Sequence, residues 1–188
     1  MPTLTLTPQA TGHFAGWHSV VPAGFTDTPW LAVQSSDTDS SYITVAGPPD
    51  PIEQRGRVSF IFAGPSNIQP TQVRVRATHK RESGTATPDL VAGFSTIYHW
   101  SGTPEIPVTA VGAIFEAGAS YVTSTTTFTV DPFSASAWRS GALNGLEVYF
   151  QTVDDSLVKL VRLTRLDLLV DYEEPTFNQY RGMGAIVG

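Results

Sequence analysis

Alternation of apolar and polar residues with a period of two constrains this chain more than any other feature. Successive side chains of a β-strand point to opposite faces, so such a stretch buries one set and exposes the other. The period recurs in "RVSFIF", "QVRVRATHK", "YVTSTTTFTV", "LEVYFQ" and "LVKLVRLTRLDLLVDY". It predicts strands whose inward residues are Val58, Phe60, Phe62, Val73, Val75, Ala77, Val122, Phe128, Val130, Leu146, Val148, Phe150, Val158, Leu160, Leu166, Leu168, Val170 and Tyr172.

The residues between these positions are predicted to face solvent. A row of threonines alternates along "YVTSTTTFTV", and charged or polar residues alternate along the other strands. The outward set is Arg57, Ser59, Ile61, Arg74, Arg76, Thr78, Thr123, Thr125, Thr127, Thr129, Glu147, Tyr149, Gln151, Lys159, Arg165, Asp167 and Asp171.

Shorter strands are predicted at residues 4–7, 30–34, 42–45 and 90–98, between turns rich in Gly and Pro. Only "SASAWRSGALNG" reads as helical, with Ser134 as the N-cap, so we expect at most one short helix near 134–143. Many strands with few helices predict an all-β fold, an antiparallel β-sandwich with a jelly-roll-like path. Residues 1–174 are predicted to form a single domain.

The charge distribution bears on partners. The net charge is −6, yet residues 54–81 hold six Lys and Arg and no acid. An acidic chain lacks the positive field that nucleic acids require, so no nucleic-acid partner is expected. Arg55, Arg57, Arg74 and Arg76 are either a docking face for an acidic partner surface or the ordinary solvent coat of two strands.

Targeting and membrane signals are not found in the sequence. No apolar run approaches the ~20 residues of a membrane helix, so no membrane partner is expected. The first residues, "MPTLTLTPQ", lack the basic and apolar regions of a signal peptide. There is no Cys, hence no disulfide, thiolate metal site or Cys nucleophile.

The segment "SSDTDSSYITVA" offers a candidate cation site. Asp37, Asp39 and Ser41 present oxygen atoms at alternate positions, as Ca²⁺ prefers. The glycine and glutamate of an EF-hand loop are replaced by Tyr42 and Pro48. The alternative is a turn that leads into a strand, held by side-chain-to-backbone hydrogen bonds.

Other chemistry is weakly signalled. The four histidines, His13, His18, His79 and His99, lack metal-ligand spacing and are expected in loops or interfaces. The sequence contains no nucleophile elbow and no phosphate-binding glycine loop, and no two acidic residues stand out as a catalytic pair. No enzyme activity and no cofactor are therefore predicted. Four tryptophans could form a sugar-stacking platform or fill the ends of the core: Trp17, Trp30, Trp100 and Trp138.

The C-terminal residues 175–188 form a tail of different character. Pro175 ends the last strand, and Phe177, Tyr180 and the apolar ending "AIVG" follow. We predict that this tail docks on a neighbouring chain, with Phe177 and Tyr180 as contacts.

A family resemblance is carried by several segments in one order. Trp30 precedes "SDTDSSYI", then come "VRVRATHKR", "SGTATPDL", "DPFSASAWRSGALNGLEV" and a strand that ends in "LLVDYEEP". Over residues 12–173 these segments resemble small β-sandwich accessory proteins of tailed bacteriophages, which are head decoration, head fibre or minor tail proteins. The resemblance implies a jelly-roll-like virion component without catalysis, and it assigns no binding residues.

We therefore expect a non-catalytic structural component of a phage particle. It would decorate or stabilise the capsid, or attach to the tail, through contacts with other virion proteins and with copies of itself. The alternative is a carbohydrate-binding module or an adhesin for host-surface glycans on the same fold. Loss of glycan binding on Trp→Ala substitution would favour the alternative.

Overall fold

The fold was determined as a computed structural model, which describes residues 1–15, 17–34, 39–46, 57–83, 89–96, 110–116, 118–132, 134–153 and 160–174. Within these ranges the chain forms the strands β1 Thr3–Leu6, β2 Ala10–Ala15, β3 Trp17–Val21, β4 Tyr42–Ala46, β5 Arg57–Phe62, β6 Gln69–Ser83, β7 Asp89–Thr96, β8 Ala110–Glu116, β9 Val122–Phe128, β10 Leu146–Val153 and β11 Leu160–Glu173. Two short 3-10 helices span Ala23–Phe25 and Pro29–Val33.

The strands form two antiparallel sheets. Sheet A has the order β3-β4-β11-β6-β9, with β1 also paired to β11, and sheet B has the order β2-β5-β10-β7-β8. The chain crosses repeatedly from one sheet to the other, as in a jelly-roll-like path. The predicted all-β antiparallel sandwich is confirmed.

The core lies between the sheets and contains most of the described residues that the alternation predicted to point inward. Val58, Phe60 and Phe62 of β5 are fully buried against Val73 and Val75 of β6. Burial of side chains of this size contributes about 1.5–3 kcal/mol each, which makes the core the main source of stability. The turn residues Trp138 and Leu143 close the core.

Two predicted local structures are wrong. Residues 30–34 were expected as a strand, but residues 30–33 belong to the second 3-10 helix and Gln34 is its C-cap. Pro29 presets the first helical position, and Val33 packs into the core. The helix expected near 134–143 is absent among the described residues of that segment. They form turns instead, with φ of 52° at Ala135 and 83° at Gly141, values incompatible with a continuous right-handed helix.

Strand β11 departs from simple alternation. The sequence places Val158 and Leu160 on the same face as Leu166, whereas Val161 and Leu163 are fully buried. Val158 and the side chain of Leu160 lie outside the described residues. The ladder with β6 shifts register between Leu163 and Arg165, so Thr164 is the extra residue of a bulge. The inward residues have odd numbers before the bulge and even numbers after it, so the extra residue keeps Leu166 on the core side.

Burial differs from prediction at six further positions. Val122 and Val130 are 38% and 45% exposed, because Val122 begins β9 and Val130 lies beyond its end. Four residues that were expected to face solvent are buried: Ser59, Glu147, Asp167 and Asp171. In the described part of the chain, no helix is long and apolar enough to cross a membrane.

Candidate functional site

The side of sheet B that faces away from the core contains a buried polar pair. Ser59 of β5 and Glu147 of β10 alternate with core residues, yet neither is exposed. Ser59 Oγ donates a hydrogen bond to Glu147 Oε1. A Cβ at Gly12 would collide with both side chains, so the close approach of β2 requires glycine there. This arrangement was not predicted, because alternation indicates the face but not what covers it.

The corresponding side of sheet A carries a row of ion pairs along β6 and β11. Arg74 Nη2 lies 2.8 Å from Asp171 Oδ1. Asp167, fully buried, accepts hydrogen bonds from Arg76 Nε at 2.9 Å and Nη2 at 2.6 Å, and from Arg165 Nε at 2.7 Å. Hydrogen bonds to the carboxylate hold the pKa of Asp171 below its usual value, with Thr3 the largest cause.

Of the four arginines suggested as a docking face, Arg74 and Arg76 lie on one sheet and Arg57 on the other. Arg74 and Arg76 lie on sheet A and are paired with carboxylates, so their charges are largely compensated. Arg57 lies on β5 in sheet B, and its side chain is not described. Arg55 lies outside the described residues, as do Phe177 and Tyr180 of the C-terminal tail. A role for these six residues in partner binding stays a prediction.

At one end of the same row, five side chains form a group that we call the Asp39 cluster. Asp39 Oδ1 accepts hydrogen bonds from Lys80 Nζ at 2.8 Å, Tyr121 Oη at 3.1 Å and Arg162 Nη1 at 3.2 Å. Lys80 Nζ lies 4.2 Å from the centre of the Tyr121 ring, and the Arg162 guanidinium lies 4.2 Å from that of Tyr42. Both cations are therefore held by an aromatic ring and a carboxylate.

The electrostatics of the Asp39 cluster favour the ionised carboxylate. The hydrogen bond from Lys80 is the largest of the causes that lower the pKa of Asp39, followed by the one from Tyr121. The same contact raises the pKa of Lys80. Burial raises the pKa of Tyr121, so its hydroxyl stays protonated and donates at neutral pH.

Two of the three proposed Ca²⁺ ligands have other partners. Asp39 contacts two cationic side chains, and Ser41 is buried with its Oγ donating to the Ala32 carbonyl at 2.8 Å. Asp37 lies outside the described residues. The described residues include no cluster of three or more His, Asp or Glu that could hold a metal. Side-chain-to-backbone bonding at Ser41 supports the interpretation as a turn before β4.

The described tryptophans serve the core. Trp138 is 1% exposed, and its Nε1 donates to the Phe128 carbonyl at 2.9 Å. Trp30 is half-buried and packs against the core. The Trp17 side chain and all of Trp100 are not described. Trp138 is therefore excluded as a sugar-stacking residue in this structure, because both of its faces are buried.

The histidine prediction is wrong for His79. It lies on the inward side of β6 and is fully buried, with Nε2 3.1 Å from Ser124 Oγ. Burial lowers its pKa to about 4, so it is neutral at pH 7. His99 and the side chains of His13 and His18 are not described.

Comparison with known proteins finds similarity at the level of fold. No family model matches the sequence, and no curated protein matches it. The CBM22-1 xylan-binding domain of Paenibacillus barcinonensis Xyn10C is similar with a TM-score of 0.50 and 13% identity, over 89% of this chain and 92% of that chain.

Two further solved structures are similar at lower scores. The CBM22-1-CBM22-2 tandem domain of the same enzyme has a TM-score of 0.46 and 13% identity, over 80% of this chain and 40% of that chain. The N-terminal cellulose-binding domain of Cellulomonas fimi β-1,4-glucanase C has a TM-score of 0.38 and 15% identity, over 76% of this chain and 86% of that chain. None of these comparisons bears on the resemblance to phage accessory proteins, which stays a prediction.

Proposed function

We propose that this protein is a non-catalytic polysaccharide-binding module and that it binds through the outer side of sheet B. The observation that carries the proposal is the buried Ser59–Glu147 pair on that side. A carboxylate withdrawn from water on the side of a sheet away from the core adds little to packing and is costly to bury. Buried polar groups that depart from the packing pattern of a fold are expected mainly at functional or strained sites.

The likeness to a xylan-binding domain over nearly the whole chain supports the same function. Because one fold hosts many functions, the likeness adds to the site argument and does not replace it. Tyr149 lies two residues beyond Glu147 on β10 and pairs in register with Ser59 and Gly93. Alternation predicts Tyr149 on the outer side, where an aromatic ring can stack on a sugar face. Glu147 is assigned as a positioning residue, because its hydrogen bond with the equally buried Ser59 ties β10, which carries Tyr149, to β5.

The test is isothermal titration against neutral xylo- and cello-oligosaccharides. We expect the wild-type protein to bind at least one of them, Tyr149→Ala to abolish binding, and Glu147→Gln to weaken it while the melting temperature shows that the variant is folded. Arg139→Gln, an exposed change outside both sheets, is the matched control and should bind normally. If the folded wild-type protein binds no oligosaccharide, or if Tyr149→Ala binds as well as wild type, the proposal is wrong.

The resemblance to phage accessory proteins supports a second proposal, that the protein is a component of a tailed-phage particle. The two proposals are compatible if the module is a host-glycan adhesin. Antibodies against the protein should then label purified particles at the head or the tail in electron micrographs. Particles that carry no label while the protein is present in the lysate would contradict the virion proposal.

A further inference from the structure

The Asp39 cluster is built like an anion site that an internal carboxylate occupies. Three donors from separate parts of the chain converge on one carboxylate oxygen: Lys80 from β6, Arg162 from β11 and Tyr121 from the residue before β9. Because two of the donors lie on paired strands, their positions are set by the sheet and not by Asp39.

Exposure separates the donors from the carboxylate. The side chains of Lys80 and Arg162 are 19% and 20% exposed, whereas that of Asp39 is 68% exposed. The aromatic rings of Tyr121 and Tyr42 flank the two cations. The two cationic donors are thus mostly buried within the cluster, whereas Asp39 lies on its solvent-exposed side.

Two of the three donors are cations. Lys80 and Arg162 each carry a positive charge and both contact Asp39, on a chain whose net charge is −6. A ligand carboxylate that displaces Asp39 would be attracted to these two cations, and the attraction would weaken with added salt.

Hydroxyl groups lie beside the cations on the same side of sheet A. Thr78 precedes Lys80 by two positions on β6, and its Oγ1 lies 2.8 Å from Thr123 Oγ1 on β9. Thr125 and Thr127 continue an exposed row along β9, as the sequence predicted. Hydroxyls both donate and accept hydrogen bonds, so this row can pair with successive hydroxyl groups of a sugar chain.

We propose that Lys80, Tyr121 and Arg162 form a site for the carboxylate of a uronic acid residue in an acidic polysaccharide, and that Asp39 occupies this site when no ligand is bound. The neighbouring threonines would contact the sugar hydroxyls. The inference rests on the proposed polysaccharide-binding function but adds a second site, on the opposite sheet from Tyr149. Asp39 therefore competes with the ligand from within the protein.

The experiment measures binding of oligogalacturonate of defined length by titration calorimetry at low salt. Asp39→Asn keeps the shape of the side chain and removes the competing charge. Since an exposed ion pair contributes little, we expect this variant to bind oligogalacturonate about fivefold more tightly than wild type. Adding Arg162→Gln or Lys80→Met to Asp39→Asn should remove binding, and adding Arg139→Gln, an exposed arginine in a distant turn, should not.

Three results would contradict the inference or its assignment to a sugar. Unchanged or weaker binding by Asp39→Asn overturns the inference, as does binding that survives both Arg162→Gln and Lys80→Met in folded variants. Polyglutamate that binds Asp39→Asn as tightly as oligogalacturonate does would identify an acidic protein as the partner and overturn the assignment to a sugar. Melting temperatures exclude unfolding as the cause of lost binding.

The two proposals fail separately. Neutral oligosaccharides report on Tyr149 and sheet B, whereas oligogalacturonate with the Asp39→Asn variants reports on the Asp39 cluster. Oligogalacturonate binding with no neutral binding would reject the sheet B site and retain the site on sheet A. If neutral oligosaccharides bind and Asp39→Asn does not change the affinity for oligogalacturonate, the sheet B site is retained and the site on sheet A is rejected.

Discussion

Gly12 is the residue at which the smallest change tests the sheet B site. The Cβ of Gly12→Ala would collide with Glu147 and Ser59 side-chain atoms, so the pair or strand β2 must shift. We expect a loss of about 1–3 kcal/mol in unfolding free energy, measured by urea denaturation. Gly24→Ala is the control, because no atom lies within 4 Å of its added Cβ. Equal stabilities of the two variants would show that the pair is not packed as described.

His79 predicts a pH dependence of stability. Burial lowers its pKa to about 4 from an ordinary value of 6.5, so the unfolded chain takes up a proton between these values and the folded chain does not. The contribution of His79 to the free energy of unfolding is greatest above pH 6.5. It decreases as the pH falls from 6.5 to about 4 and is constant below that. The full change for such a shift is about 3 kcal/mol.

Urea denaturation at several pH values measures this effect. His79→Gln keeps a hydrogen-bonding group near Ser124 and does not titrate. The decline in unfolding free energy between pH 6.5 and 4.5 should be smaller in this variant than in wild type. Parallel curves for the two proteins would mean that His79 is protonated in the folded state.

At the scale of single elements, the bulge in β11 is a specific feature to test. Thr164 Oγ1 donates to the Ser41 carbonyl at 2.8 Å in a buried position and so joins β11 to the residue before β4. Thr164→Val removes the donor at nearly constant volume and should reduce unfolding free energy by about 1–3 kcal/mol. The exposed Thr127→Val on β9 should change it by less than about 0.5 kcal/mol.

Deleting Thr164 tests the register itself. Without the extra residue, one unbroken inward alternation would run through Val161, Leu163, Leu166, Leu168 and Val170. The deletion should therefore keep a cooperative unfolding transition by circular dichroism, with a loss of about 1–3 kcal/mol for the missing hydrogen bond of Thr164. A deletion variant without a cooperative transition would show that β11 needs the bulge for more than the alternation of its side chains.

At the scale of the whole molecule, the described core ends with β11. Its last members are Val170 and the half-buried Tyr172, so deletion of residues 175–188 should leave the melting temperature within a few degrees of the full chain. If the tail docks on a neighbouring chain, the truncated protein should lose self-association in light scattering. A truncated protein that associates like the full chain would contradict the predicted role of Phe177 and Tyr180.

Prediction from the sequence was most successful for strand faces and least successful for partners. Val73 and Val75 are buried and Arg74 and Arg76 lie on the other side, because alternation is a property of each strand alone. The ion pairs of those arginines depend on the register between β6 and β11, which join residues more than 90 positions apart. No local pattern specifies that register, and the bulge at Thr164 changes it further.

The sequence by itself determined that the chain is all-β, which residues of most strands face inward and where the main turns lie. Only the tertiary structure decided that the "SDTDSS" segment brings Asp39 to Lys80, Tyr121 and Arg162, the last of them 123 positions away. It also decided that Glu147 is covered on the outer side of sheet B. The physical reason is that period-two alternation specifies the faces of a strand, whereas contacts between distant residues follow from strand order and register, which emerge when the two sheets pack.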